Sequence, residues 1–139
     1  MPTTKLTKKK AADSREGKAN AVAVSNGVAY AVLKSHNQTP RKVRLVTNLV
    51  KGKKVQDALV ALEFLPKRAA EPIMKLIKSA VANAKVSGED VEALRVQSIV
   101  VESAGILKKY MPRAFGRASL IRRRKSAVKV TLSAPPASK

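Results

Sequence analysis

Two stretches of this chain, LRVQSIVVES (94–103) and SAVKVTLSA (126–134), have the β-branched content or the period-two alternation of strands, and 22 residues separate them. In the second, Val128, Val130 and Leu132 alternate with Lys129, Thr131 and Ser133, the mark of a strand buried on one face. Strands joined as a hairpin normally need a loop of about 2–5 residues. A connection as long as 104–125 is therefore either disordered or functional. Its apolar members (Ile106, Leu107, Met111, Leu120 and Ile121) argue against disorder, and so do Tyr110 and Phe115 in a chain with only four Tyr, Phe and Trp residues. Pro112 and Gly116 fall near its middle, where a turn belongs. The segment reads as an extended hairpin whose arms of about ten residues, at ~3.3 Å each, reach about 30 Å from the core.

The charge of that segment says what it meets. The 139 residues hold 29 Lys and Arg against 9 Asp and Glu, a net +20. Residues 103–139 carry ten of those bases and no acid, so half of the net charge sits in about a quarter of the length. Like charges so crowded oppose compaction, and a polyanionic partner removes the cost. Lys108, Lys109, Arg113, Arg117, Arg122, Arg123, Arg124 and Lys125 supply eight cations within the hairpin. Guanidinium forks bind phosphate bidentately and stack on bases, and Tyr110 and Phe115 offer faces to unpaired bases. A lone two-stranded ribbon is marginal in water, so the partner is expected to order it.

The rest of the chain supplies a core. Thr39 and Pro40 open a helix as N-cap and first residue, Gly52 closes it, and Val43, Val46, Leu49 and Val50 share one face. VQDALVALEFL (55–65) repeats the pattern with Val55, Ala58, Leu59 and Leu62 inward. The longest helix follows, with Ala69, Ile73, Leu76, Ile77, Ala80 and Ala84 as its stripe, Pro72 in its first turn and Gly88 at its end. A Val-rich run around Val28–Lys34 reads as a further strand after an Asn26-Gly27 turn signal. Residues 1–27 read as a flexible basic arm, 28–133 as a single globular domain from which 104–125 protrudes, and 134–139 as a tail.

Several function classes fall away. Without cysteine there is no disulfide, no Cys-ligated zinc and no thiol chemistry. No apolar run approaches the ~20 residues of a membrane span, and the N-terminal stretch lacks the apolar segment of a secretory signal. His36 lies between Ser35 and Asn37 with no carboxylate nearby in sequence, and Glu89, Asp90 and Glu92 read as a solvated turn. No phosphate-binding glycine loop or nucleophile elbow is present. No enzyme activity, cofactor, metal or small-molecule substrate is expected. Pro112 and Gly116 oppose a membrane-active amphipathic helix.

TPRKVRLVTNLVKGKKVQDAL, KSAVANA and KKYMPRAFGRA, in this order and spacing, resemble the bacterial large-subunit ribosomal protein twenty-two family over about Val32 to Leu132. The resemblance implies an α+β fold: a small three-stranded antiparallel sheet packed against three helices, with one long extended β-hairpin. It implies a structural protein of the large ribosomal subunit, cytoplasmic, that binds large-subunit ribosomal RNA, contacts neighbouring ribosomal proteins and assists assembly. The globular part would lie near the exit-tunnel opening. The tip, from Lys108, Lys109, Tyr110 and Met111 through Pro112, Arg113, Ala114 and Phe115 to Gly116 and Arg117, would line the tunnel beside the nascent polypeptide. RNA contacts are expected from Arg41, Lys42, Arg44, Lys53 and Lys54 and from the eight hairpin cations. Residues 1–27 exceed the short N-terminus common in that family. The composition also admits a sequence-tolerant DNA-binding architectural protein, which competition between structured RNA and duplex DNA would separate.

Overall fold

In the computed structural model, residues 24–25 and 28–134 are described. The basic N-terminal stretch up to residue 23, the Asn26-Gly27 turn signal and the last five residues lie outside them. The chain runs β1 (Val24–Ser25), β2 (Val28–His36), α1 (Pro40–Val50), α2 (Val55–Glu63), α3 (Ala70–Val86), β3 (Arg95–Pro112) and β4 (Ala118–Ser133). The fold is the expected α+β arrangement. Three long antiparallel strands stand in the order β2, β4, β3, and the two-residue β1 pairs with the outer edge of β2.

The alternation in 126–134 translates directly into burial. Val128, Val130 and Leu132 are buried in the central strand while Lys129 is exposed. The helices cover that face, with α3 along β2 and β4 and α1 along β3 and β4. Small residues on both sides, Ala29 and Ala31 on β2 with Ala80 and Ala84 on α3, permit the close approach. Asn83 then reaches across, its Nδ2 donating to the Tyr30 carbonyl at 2.9 Å. Every buried apolar side chain in the core is Ala, Val, Leu or Ile.

The helices differ from the sequence reading in detail. Thr39 has the extended backbone of an N-cap, yet its side chain makes no cap bond. Its carbonyl instead accepts from Lys42 N–H at 3.1 Å and Val43 N–H at 3.3 Å. Leu49, expected inward, is half exposed, and Thr47 is buried in its stead. The Thr47 hydroxyl can be buried because it donates to the Arg44 carbonyl at 3.1 Å. The third helix runs Ala70–Val86, so Ala69, the first residue of the expected stripe, is its N-cap. Pro72 lies in its first turn, as the sequence requires.

Ser126 is the one described side chain that is fully buried with an unpartnered oxygen. It sits in β4 opposite both His36 and Ser103. A buried hydroxyl without a partner costs about 1–3 kcal/mol of desolvation. Ser126→Ala is therefore expected to raise the unfolding free energy by about 1 kcal/mol. Calorimetry checks this, and a lowered melting temperature would show that the hydroxyl is satisfied in solution.

Candidate nucleic-acid interface

Beyond Ser103 the strands leave the core and continue as a ribbon. Ser103 pairs with Ser126, and the next pair is Ile106 with Arg124, so Ala104 and Gly105 stand against Lys125 alone. This is a β-bulge, with Gly105 at φ 106°, a backbone that side chains with a Cβ seldom adopt. The bulge marks where the ribbon departs from the sheet. Seven register pairs follow, from Ile106–Arg124 to Pro112–Ala118. At ~3.3 Å per residue they span about 23 Å before the turn, shorter than the sequence suggested because the bulge takes up two residues.

The register exposes the electrostatic problem. Lys108 lies directly opposite Arg122, while Arg123 and Arg124 face Leu107 and Ile106. Like charges across a strand pair are destabilising, and no carboxylate lies anywhere between residues 103 and 139 to relieve them. The one ion pair among the described residues is elsewhere, on α3, where Lys75 Nζ stands 2.6 Å from Glu71. There the hydrogen bond and charge of Lys75 hold the Glu71 carboxyl below its usual range. None of the ribbon's cations forms an ion pair with a described residue.

The tip is a tight, strained turn. Arg113 N–H donates to the Arg117 carbonyl at 2.7 Å, and Arg117 N–H donates to the Ala114 carbonyl at 3.3 Å. Between them Phe115 (φ 57°, ψ 35°) and Gly116 (φ 68°) are both left-handed. That is the pattern of a type I′ turn, which normally takes Asn-Gly. Phenylalanine there costs roughly 1–2 kcal/mol, and its ring is 99% exposed. Tyr110 is 72% exposed. Neither aromatic packs on the core, so both faces are available to a partner. Arg113 Nε donates to Ser119 Oγ at 3.1 Å, which aims one of the tip's guanidinium groups.

The base of the ribbon meets the N-terminal end of α1. Asn37, Gln38, Thr39 and Lys42 line a basic cleft with Lys109 and Arg122 through Lys125. Arg41 and Arg44 line an adjoining one with Ser103 and Arg124. A helix N-terminus favours anions, yet the first turn of α1 holds no acid and does hold Arg41 and Lys42. Both the helix end and the two cations favour an anion such as phosphate there. Arg44 has a second task, since its Nη2 donates to the Val101 carbonyl at 2.9 Å and ties α1 to β3 below the ribbon.

Sequence reasoning missed Arg68, which lines the basic cleft from the loop before α3. Only its basic character marked it, and nothing local says that its loop returns to the ribbon. Conversely, Lys53 and Lys54 do not join the cluster. Residues 52–55 follow the other end of α1 and bond to residues 94–96, at the start of β3. They form a separate basic spot at the opposite end of the helix from the ribbon.

The model of a family described as ribosomal protein L22p/L17e matches residues 31–133. The large ribosomal subunit protein uL22 of Pelobacter propionicus is 51% identical over 104 residues, covering 74% of this chain and 94% of its own length. That of Geobacter sulfurreducens is 49% identical over 96 residues, 68% of this chain and 86% of its own. That of Aquifex pyrophilus is 42% identical over 111 residues, 80% of this chain and 84% of its own.

Proposed function

This chain belongs to the ribosomal protein L22p/L17e family, and from that premise we propose that it is a structural component of the large ribosomal subunit, held there by large-subunit ribosomal RNA. Its work is charge neutralisation and shape fitting, and no bond is made or broken. The observation that carries this reading is the acid-free ribbon with Lys108 opposite Arg122, a device that makes sense only against a polyanion. The basic clefts at its base, with Arg41, Lys42, Arg68 and Arg124, take backbone phosphates. Lys53 and Lys54 serve as a second, separate RNA contact.

The globular part lies near the mouth of the peptide exit tunnel, and the ribbon runs inward through RNA. Its tip, Lys108 to Arg117, lines the tunnel wall beside the nascent polypeptide. The exposed, left-handed Phe115 supports a contact role for the tip, since strain of this kind is kept where a site uses it. The ribbon helps the subunit assemble by becoming ordered on RNA.

A tagged copy sedimented through a sucrose gradient at high salt tests the reading. It should stay with the large subunit, and migration as free protein or with DNA would overturn the reading. Removing residues 108–117 tests the division of labour. Leu107 and Arg123 are register partners, so the deletion leaves residues 118–122 as a five-residue loop between them, a length that hairpins use. The shortened protein should keep a cooperative thermal unfolding transition close to that of the parent. Loss of cooperativity would show that the ribbon belongs to the core.

A further inference from the structure

Helix α1 is apolar on two faces. Val43, Val46 and Val50 face the core, while Leu45 and Leu49, one turn apart, are 68% and 50% exposed. A surface helix needs only one such stripe. The second stripe forms one wall of a groove whose other wall is the loop before α3, with Leu65 half-buried in it and Lys67 and Arg68 at its rim. Lys42 completes the rim, no acid among the described residues lines the groove, and Phe64 beside Leu65 adds a further exposed apolar side chain. Through Lys42 and Arg68 the groove is continuous with the basic cleft at the base of the ribbon.

We infer that this groove docks a segment of another protein, an apolar stretch flanked by carboxylates, next to the RNA interface. An aliphatic floor of leucines offers no ring for base stacking and no donor for a phosphate, whereas leucines spaced i, i+4 are what an apolar protein segment packs on. Lys67, the rim cation that the basic cleft does not share, selects the flanking charge, and Lys42 and Arg68 at the shared edge add to the cationic field. The cationic rim also rejects two other occupants. A second copy packed isologously would set Lys42, Lys67 and Arg68 against themselves. The chain's own first twenty residues hold six bases against two acids and would be repelled.

The inference is tested in full-length protein carrying a benzophenone amino acid in place of Leu49, expressed in cells and irradiated. The crosslinked peptide is then sequenced by mass spectrometry. The expected product is a peptide of a different protein with Asp or Glu beside the crosslinked apolar residue. Lys67 lines this groove and not the basic cleft. Lys67→Glu should therefore lower the crosslink yield about fivefold, the effect of turning an exposed attraction into a repulsion, and leave sedimentation unchanged. A crosslink to RNA, to a second copy or to a segment without carboxylates overturns the inference, as does the absence of any crosslink or a yield indifferent to Lys67→Glu. The sedimentation position of the same protein reports separately on the ribosomal reading.

Discussion

A variant with Arg122, Arg123 and Arg124 all changed to Glu will fold and will not enter the large subunit. The three side chains are exposed, and none of them packs in the core, so their loss leaves the aliphatic interior intact. The substitution shifts the ribbon by six charges, from eight cations and no acid to five cations and three acids. Each phosphate contact removed lowers the slope of log affinity against log salt by roughly 1. Three contacts removed, with repulsion added, should weaken RNA binding by orders of magnitude at physiological salt. The measurement pairs thermal unfolding of the isolated protein with its share of the large-subunit peak in a gradient. Normal incorporation would reject the ribbon as the RNA anchor. A collapsed unfolding transition would instead reject its independence from the core.

Ile77→Ala should have the opposite signature, with stability lost and the RNA surface untouched. Ile77 is fully buried in α3 within a core that has no aromatic side chain. The neighbours are short and cannot swing in to fill the hole, so the cost is about 2–5 kcal/mol. Against a total of about 5–15 kcal/mol that is a large fraction, and the melting temperature should fall by roughly 10 °C or more. Leu107→Ala on the half-exposed ribbon is the control, expected to stay within ~0.5 kcal/mol of the parent. Calorimetry distinguishes the two. A loss below ~1 kcal/mol for Ile77→Ala would mean that α3 is not seated on the sheet as described.

The sequence by itself determined those features that depend on local periodicity and on charge. Val128, Val130 and Leu132 alternate because one face of β4 is buried, and the stripe from Ala69 to Ala84 recurs at helical spacing because α3 has one inward face. The ribbon was legible because 22 residues between two strands, acid-free and with Pro112 and Gly116 central, leave few other conformations open. The motifs around 41–44 and 111–118 carried the family.

Only the tertiary structure decided which distant cations converge. Whether Leu49 or Thr47 turns inward depends on a small rotation of α1 about its axis, set by the sheet it packs on rather than by its own spacing. Arg68 reaches the ribbon, and Lys53 and Lys54 do not, because α1 holds its N-terminal end at the ribbon's base and its C-terminal end at the start of β3. Period and charge are properties of neighbours along the chain. The meeting of residues 42, 68 and 122–125 is a property of the packed layers, which fix the direction of each element only when all of them bury their apolar faces together.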